Sequence, residues 1–328
     1  MQANFKPMKN LKLIENKSEI GAGTRGASLG IEALKVASLN QNSDFFSRYN
    51  SVSIKDENDL LFQAVETPSA IRIKGIKKVY QRLADQVKEV LTEGDYPLVI
   101  AADHASAGGT IAGIKIAYPE KRLGVIWVDA HGDLHSPFTS PTGNVHGMPL
   151  ATALAEDNEV CKVKVPEEEA LSNWNALKNL GGISPKIKAE DLIFFGVRDT
   201  EKPEEELMER KGIKNFTVKE SREKGVEKAA KEALEKLDNC DMIYLSFDVD
   251  SMDSDKVSKG TGTPVPNGFL PEEAQSLIAE IIKSRKVVCF ELVEVNPTLD
   301  NKGNMMAETA FKILNETAVL IEQMNENE

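Results

Sequence analysis

The sequence predicts an α/β protein with three layers, helix, sheet and helix, around a central and mainly parallel sheet. Two observations favour this fold class. Short apolar runs of about six residues recur along the chain and end abruptly in charged or His residues, as buried parallel strands do. Segments with a helical pattern lie between these runs, and this alternation is typical of a parallel sheet that is covered on both faces.

Five apolar runs predict strands, and each is followed directly by polar residues. In chain order they cover residues 97–102, 123–128, 192–197, 242–247 and 287–292. Helix-like segments cover residues 221–236, 271–283 and 306–324. Ligands of such sheets bind at the carboxyl ends of the strands. The functional site is therefore predicted where these runs end.

The chain length predicts a single domain. A chain of 328 residues with 41% hydrophobic content can bury a substantial core, so we expect one domain over residues 1–328. The polar stretch 40–59 and the charged, Gly-containing stretch 157–191 carry no sustained apolar period. We expect both to be surface excursions of this domain, the second of them a surface insertion.

The net charge limits the classes of partner that the protein can bind, and the cysteine content indicates the cellular compartment. The net charge of −12 argues against phosphate backbones and anionic membranes as partners. No apolar stretch approaches the roughly 18 residues needed to span a bilayer, and residues 1–20 contain no apolar leader segment. Three scattered cysteines without a C-x-x-C pair fit a reducing compartment. We expect a cytoplasmic protein that binds neither nucleic acid nor membrane.

All the histidines of the chain fall in one window after the first two predicted strands. They are His104, His131, His135 and His146. A lone histidine is more often a hydrogen-bonded residue than a metal ligand, but the acidic neighbours change this interpretation. Asp129, His131 and Asp133 form a D-x-H-x-D motif, and side chains two residues apart on an extended chain point the same way. One metal site could use all three.

Asp248 and Asp250 repeat the two-residue spacing at another strand end, and His104 follows Asp103 at a third. Carboxylates crowded at buried strand ends repel one another and raise one another's pKa unless a cation compensates them. Carboxylate and imidazole ligands suit manganese, iron, cobalt or zinc, and a pair of such ions lowers the pKa of a shared water. The alternative is a purely structural role, in which some of these Asp residues cap the following helices. The pattern predicts metal-assisted hydrolysis.

Taken together, the motifs resemble those of the ureohydrolases, the family of arginase and agmatinase. The motifs are A-A-D-H at 101–104, V-D-A-H-G-D at 128–133, G-N-V-H-G-M-P at 143–149, S-F-D-V-D at 246–250, G-T-G-T-P-V at 260–265 and E-V-N-P-T-L at 294–299. G-N-V-H-G and the last motif are more similar to arginase than to agmatinase. The resemblance implies the arginase-like α/β/α fold and a homo-oligomer, commonly a trimer or hexamer.

The resemblance also implies two Mn²⁺ ions per chain, with other divalent metals as alternatives, and a set of site residues. One ion would be held by His104, Asp129, Asp133 and Asp248, and the other by Asp129, His131, Asp248 and Asp250, so that Asp129 and Asp248 would bridge. His146 would act as an acid, base or proton shuttle, Glu294 would hold the substrate guanidinium, and Asp133 could hold the proton of the attacking water. Thr142 and Asn144 would bind an α-carboxylate, and His135, Asp199 and Glu201 belong to positions of substrate recognition.

Two residues depart from the arginase pattern. His135 stands where arginases typically carry Asn, and Glu201 of R-D-T-E stands where they carry Asp. L-Arginine, hydrolysed to L-ornithine and urea, is the substrate that the motifs favour, while agmatinase, guanidinobutyrase and formimidoylglutamase activities are alternatives on the same fold. A catalytically silent, metal-binding regulatory protein is an alternative of another class, and it would follow if the two departures had removed substrate binding.

Overall fold

Within residues 10–326, which the computed structural model describes, the strands form one eight-stranded sheet. The strands are β1 (Leu11–Asn16), β2 (Asn50–Ile54), β3 (Tyr96–Ala101), β4 (Leu123–Val128), β5 (Leu192–Phe195), β6 (Lys214–Phe216), β7 (Met242–Asp248) and β8 (Val287–Val293). Their order across the sheet is β2-β1-β3-β8-β7-β4-β5-β6, and every neighbouring pair is parallel. The predicted parallel sheet is confirmed.

Helices cover both faces of this sheet. They are α1 (Gly30–Asn40), α2 (Phe45–Arg48), α3 (Ile73–Glu93), α4 (Ser106–Ala117), α5 (Pro149–Leu154), α6 (Glu168–Lys178), α7 (Lys202–Lys211), α8 (Val218–Lys224), α9 (Val226–Lys236), α10 (Pro271–Ile282) and α11 (Met305–Glu326). Helices α1, α9, α10 and α11 pack on one face, and α3, α4, α5 and α7 pack on the other. The predicted three-layer architecture is therefore confirmed.

The central strands are apolar throughout because both of their faces are covered. In β4, Ile126 and Val128 belong to the core on one face, and Val125 and Trp127 belong to the core on the other. Successive side chains of a strand point to opposite faces, so a strand between two helical layers needs an apolar residue at every position. This is why unbroken apolar runs identified the strands.

The predicted strands are present with small differences at their ends. Residues 196–197 leave β5, because Gly196 has φ +87°, a left-handed conformation that ends the strand. The predicted helix over 221–236 is two helices, α8 and α9, which meet at Gly225 with φ +89°. Both differences occur at glycines with a positive φ.

The segment 157–191 contributes to the core, so the expectation of a surface insertion is wrong for its helix. In α6, Ala170, Trp174 and Leu177 are buried against residues of α3 and α5. Their spacing is helical, but the charged residues around them hid this period in the sequence. The preceding turn lies at the surface, where Val163 is 65% exposed.

The polar segment 40–59 was also expected to be a surface excursion, and this is wrong for two elements. It contains α2, with Phe45 fully buried, and the edge strand β2, which pairs with β1. The strand has mostly exposed side chains because it lies at the edge of the sheet. Its polar composition therefore concealed it.

The sequence predicts that no segment of the chain spans a membrane, and the helices of the structure can be compared with this prediction. No helix within residues 10–326 is long and apolar enough to cross a membrane. The predicted absence of an apolar leader concerns residues 1–20, of which 1–9 lie outside the described residues. Residues 11–16 form β1, which is an inner strand of the sheet.

The topology brings the predicted site residues to one edge of the sheet. Strands β3, β8, β7 and β4 lie side by side in that order. His104 follows β3, Glu294 follows β8, Asp248 ends β7, and Asp129 follows β4. Because all these strands are parallel, their carboxyl ends meet at the same edge.

Candidate metal centre and substrate cavity

Two groups of His and Asp side chains converge at the carboxyl edge of the sheet. In the first group, ligand atoms of His104, Asp129 and Asp248 lie within 4.8 Å of one another. In the second group, ligand atoms of Asp129, His131 and Asp250 do so. Asp129 belongs to both groups, in a position from which it could bridge two ions. The strand-end residues that the sequence singled out are thus close together in space.

Asp133, the remaining predicted ligand, lies beside the first group. Its Oδ2 is 3.2 Å from His104 Nδ1, as is Oδ2 of Asp248. Its backbone has φ +49°, a left-handed conformation that is uncommon outside glycine. Asp248 belongs to the first group only. Its predicted role as a second bridge stays a prediction.

The chemistry of two buried atoms fits a cation between them. His104 Nδ1 and Asp129 Oδ2 are 2.9 Å apart, yet neither has a hydrogen-bond partner among residues 10–326. Buried polar atoms left without partners are costly and rare. An imidazole nitrogen and a carboxylate oxygen this close together are suitable ligands for a divalent transition metal. The residues present therefore fit such an ion.

Two carboxyl groups of the cluster, those of Asp248 and Asp133, also need a compensating charge. Burial, together with the nearby Asp250 and Asp129 carboxylates, raises the pKa of Asp248 well above its ordinary value. Burial and the Asp129 carboxylate raise the pKa of Asp133 to about 6. Carboxyl groups in this situation ionise readily only when a cation is bound beside them.

Glu294 and His146 form a second pair beside the metal cluster. Glu294 Oε1 accepts a hydrogen bond of 3.0 Å from the backbone N–H of His104 and lies 3.1 Å from His146 Nδ1. The other oxygen, Oε2, is buried and has no hydrogen-bond partner in the described part of the chain. Burial opposes ionisation of Glu294, but the hydrogen bond from His146 lowers its pKa below the usual value. Glu294 therefore presents a carboxylate with one unoccupied oxygen.

His135 is held between two carboxyl groups at another part of the cavity. Its Nε2 is 3.0 Å from Glu201 Oε2 and 3.5 Å from Glu204 Oε2, and its Nδ1 is 3.2 Å from Thr139 Oγ1. Burial lowers the pKa of His135 even though Glu201 opposes this effect. The two residues that depart from the arginase pattern, His135 and Glu201, are thus in direct contact.

These groups surround a cavity of about 230 Å³. Its lining consists of His104, His131, Asp133, His135, Ser140, Pro141, Thr142, Asn144, His146, Gly147, Asp199, Thr200, Glu201, Glu204, Asp248, Asp250, Thr263 and Glu294. Acidic residues are frequent in this lining, and none of the described residues that line it is Lys or Arg. Such a surface attracts cationic ligands. Every residue that was predicted to bind substrate lines this cavity.

Asp199 has a neighbour that the sequence did not predict. Its Oδ2 is 3.7 Å from Nε2 of His131, the imidazole nitrogen that faces away from Asp129 and Asp250. The Asp199 side chain is 65% exposed, which leaves it accessible to a ligand as well. Asp199 therefore lies near the His131 ring, beyond hydrogen-bond distance, and is open to contact with a substrate.

Sequence reasoning missed two residues that support the site. Glu204 is buried, accepts a 3.1 Å hydrogen bond from the backbone N–H of Leu134, and completes a capping box with Glu201 at the start of α7. Ser246 Oγ lies 2.7 Å from His104 Nε2. A signal existed for both: Glu204 stands three residues after Glu201 and Ser246 two before Asp248, on the same face of β7.

Comparisons with known proteins agree with the geometry. A model described as "Arginase family" matches residues 14–319. The arginase of Brevibacillus brevis is 34% identical over 312 residues, which are 93% of this chain and 96% of the relative. Arginase-1 of Homo sapiens is 35% identical over 262 residues, 78% of this chain and 76% of the relative. The solved arginase structure from Bacillus caldovelox superposes with a TM-score of 0.79 at 31% identity, covering 94% of this chain and 98% of the other.

Proposed function

The chain belongs to the arginase family, and on that premise we propose that it hydrolyses L-arginine to L-ornithine and urea. The observation that carries the proposal is the free Oε2 of Glu294, a buried carboxylate oxygen beside a cluster that fits divalent cations. A planar guanidinium donates paired hydrogen bonds to a carboxylate. Glu294 would thus place the guanidine carbon next to the cluster.

We propose that two Mn²⁺ ions bind the cluster, with other divalent ions as alternatives. His104, Asp129, Asp133 and Asp248 would hold one ion, and Asp129, His131, Asp248 and Asp250 would hold the other. When bound, such ions supply positive charge and make a water acidic enough to attack near neutral pH. The unsatisfied His104 Nδ1 and the crowded carboxyl groups support this assignment.

The protein's own residues would orient the substrate and move protons. Glu294 binds the guanidinium, which also brings the scissile carbon within reach of water. His146, whose Nδ1 is anchored on Glu294, can donate a proton to the departing amine. Asp133, which lines the cavity beside the cluster, can accept and hold a proton of the attacking water for part of the reaction.

The remainder of the cavity would bind the amino-acid end of the substrate. Thr142 and Asn144 are neutral and polar, so their donors suit an α-carboxylate. Glu201 and Asp199 are acidic and suit an α-ammonium group. His135 contacts Glu201 and would fix the orientation of its carboxylate. An amino acid such as arginine carries both groups, which favours it over agmatine.

A parallel assay tests the proposal. The protein is reconstituted with Mn²⁺ and given L-arginine, agmatine, 4-guanidinobutyrate and formiminoglutamate, and urea and amine release are measured. Preferential turnover of arginine is expected. Preference for another substrate would assign the specificity change to His135 and Glu201. No turnover of any of them with metal bound would favour the silent regulatory protein.

Assembly and location are proposed from the family resemblance and the composition. We propose a trimer or hexamer in the cytoplasm. Light scattering of the Mn²⁺-loaded protein at several concentrations tests the assembly, and a monomer at all concentrations would contradict it. Fractionation of the source cells tests the compartment.

A further inference from the structure

Asp103 is a buried carboxyl group that the proposed function does not use. It stands between β3 and α4, and among residues 10–326 it belongs to neither group of candidate metal ligands. Both of its oxygens accept a hydrogen bond from a backbone N–H, Oδ1 from Ala105 at 3.1 Å and Oδ2 from Gly21 at 2.8 Å. A buried carboxyl group needs such partners. The bond to Ala105 is local, but the bond to Gly21 joins two distant parts of the chain.

Gly21 approaches Asp103 more closely than a larger residue could. It follows β1, which pairs with β3, so both segments leave the sheet at the same edge. A Cβ atom at position 21 would lie 2.9 Å from Ala105 Cβ and 3.0 Å from Asp103 Oδ2. Carbon atoms in van der Waals contact are about 3.5–4.0 Å apart. The contact between this backbone and Asp103 therefore requires glycine.

The carbonyl group of Gly21 holds the main chain of His146. Gly21 O accepts a 3.2 Å hydrogen bond from the backbone N–H of His146. His146 stands in the 3₁₀ turn Val145–Gly147, which is only three residues long. Side chains on such short segments are positioned less precisely than those on long helices or strands, unless other groups hold the segment. Gly21 supplies such a group.

The imidazole of His146 closes a ring of hydrogen bonds. Its Nδ1 lies 3.1 Å from Glu294 Oε1, and the same oxygen accepts from the backbone N–H of His104, the residue after Asp103. The ring thus begins and ends at the same turn after β3, and its hydrogen bonds span 2.8–3.2 Å between donor and acceptor. Glu294 is held directly by His104, whereas the backbone N–H of His146 is held through Gly21.

We propose that Asp103 and Gly21 are positioning residues that fix the main chain of His146, so that its imidazole stays in place beside Glu294. The inference rests on the proposed function, in which His146 donates a proton to the departing amine. Proton transfer needs a donor within hydrogen-bond reach of the acceptor, and a displacement of about 1 Å can cost roughly 100-fold in rate. Loss of this support should slow turnover more than it weakens substrate binding, since Glu294 keeps its own bond to His104.

Asp103→Ala removes both acceptor oxygens and tests the first link of the ring. Asp241→Ala is the matched control, because Asp241 Oδ2 also accepts from the backbone N–H of a distant residue, Arg122, at 2.7 Å. Asp241 and Arg122 directly precede β7 and β4, at the opposite edge of the sheet from the site. The control therefore removes a similar bond without touching the ring.

Gly21→Ala tests the second link, and it carries the test if Asp103→Ala does not fold. The added methyl group would force the backbone of residue 21 away from Asp103 and Ala105. Gly124→Ala is its control, because a Cβ atom at Gly124 would also be crowded, at 3.2 Å from Cys240 Sγ. Gly124 lies near the start of β4, so this crowding occurs at the opposite edge of the sheet.

The first measurement is steady-state kinetics with L-arginine, at a Mn²⁺ content verified for each variant. Asp103→Ala and Gly21→Ala are expected to lower kcat about tenfold or more, to keep KM within about threefold and to bind as much Mn²⁺ as the parent protein. Both controls are expected to match the parent. A kcat within about twofold of the parent, a rise in KM that exceeds the fall in kcat, or a loss of Mn²⁺ that accounts for the lost turnover would overturn the proposal.

The second measurement is the hydrogen-exchange rate of the His146 backbone N–H. The chain has four histidines, so ¹⁵N-histidine labelling gives few backbone signals, and the signal of His146 is assigned by its loss in His146→Asn. Zn²⁺ replaces Mn²⁺, which would broaden the signals. Exchange is expected to be about tenfold faster in Asp103→Ala and Gly21→Ala and unchanged in the controls.

An unchanged exchange rate of His146 in both variants would overturn the inference. This measurement needs no turnover. A parent protein that releases no urea, while the exchange of His146 follows the expectation, would therefore contradict the proposed function alone.

Discussion

Two residues of the site have backbones in the left-handed region, Asp133 with φ +49° and Glu294 with φ +68°. Such conformations cost a non-glycine residue on the order of 1 kcal/mol or more and persist where the surroundings enforce them. The backbone conformation of Glu294 is held by two contacts of its side chain. The His104 backbone N–H donates a hydrogen bond to Glu294 Oε1, and His146 contacts the same oxygen. The strain therefore coincides with the groups to which we assign chemistry.

At the scale of single residues, we predict that the Glu294→Gln variant binds Mn²⁺ normally but no longer binds L-arginine well. The amide oxygen can keep the hydrogen bond from His104, but the amide N–H₂ would then face the cavity and repel a guanidinium. Losing one partner of a buried charged pair costs enough to lower kcat/KM roughly 100-fold or more. Kinetics and metal analysis measure both effects, with Glu272→Gln at the exposed start of α10 as control. Normal arginine binding by Glu294→Gln would refute the guanidinium role.

The residues that the sequence revealed are those whose type itself implies chemistry. His104, Asp129 and Asp248 stood out because charged and imidazole groups rarely end an apolar run. Ser246 and Glu204 did not, because a hydroxyl in a strand and a glutamate in a charged helix are ordinary. Their spacing from Asp248 and Glu201 was the one signal in the sequence, and their contacts with His104, Leu134 and His135 appear only in the folded chain.

At the scale of elements, the end of α6 depends on a buried cation. Lys186 is 4% exposed and donates to the carbonyl oxygens of Leu177, Lys178 and Ile183 at 3.3, 2.7 and 3.2 Å. The last carbonyl groups of a helix have no partners within the helix. The Lys186 ammonium supplies them, which stabilises the segment that the sequence had presented as a surface insertion.

We therefore predict that Lys186→Met lowers the free energy of unfolding by about 2–4 kcal/mol, because it leaves buried carbonyl groups unsatisfied. Chemical denaturation measures this loss. Lys188→Met is the control, since the Lys188 side chain is 61% exposed and contacts only Glu190 at 3.9 Å among its described ion-pair partners. Equal stability of both variants would contradict the role of Lys186.

Strands were predictable where their sequence is apolar without interruption; β1 is an inner and mostly buried strand, but Lys12, Glu15 and Asn16 interrupt its apolar residues and it was not predicted. The central strands β3, β4, β7 and β8 are covered on both faces, so they were recognisable in the sequence as apolar runs. The edge strands β2 and β6 are short and partly exposed, so their composition resembles that of loops. Burial in the core, which produces the sequence signal, is weakest at the edges.

At the scale of the whole molecule, the metal cluster couples three strands that are distant in sequence, β3, β4 and β7. Its carboxyl groups repel one another when no ion is present, and bound ions remove this repulsion. Ligands that bind only the folded state stabilise it, by about 2.7 kcal/mol at a hundred times the dissociation constant. The strand order, which places β8 and β7 between β3 and β4, could not be read from the sequence runs alone.

We predict that saturating Mn²⁺ raises the Tm of the chelator-treated protein by roughly 5 °C or more. Differential scanning calorimetry at constant ionic strength measures the shift. An equal concentration of a monovalent salt is the control and should leave the Tm nearly unchanged. A Tm that does not change when Mn²⁺ is added would mean that the cluster binds no ion in the folded state.

The most direct test of the account is the number of Mn²⁺ ions per chain, measured together with urea release from arginine in the parent protein, Asp250→Ala and the exposed control Asp255→Ala. The account predicts two ions and turnover in the parent and the control, and one ion with most turnover lost in Asp250→Ala. Two ions and full turnover in Asp250→Ala, or full turnover in a parent stripped of metal, would contradict it.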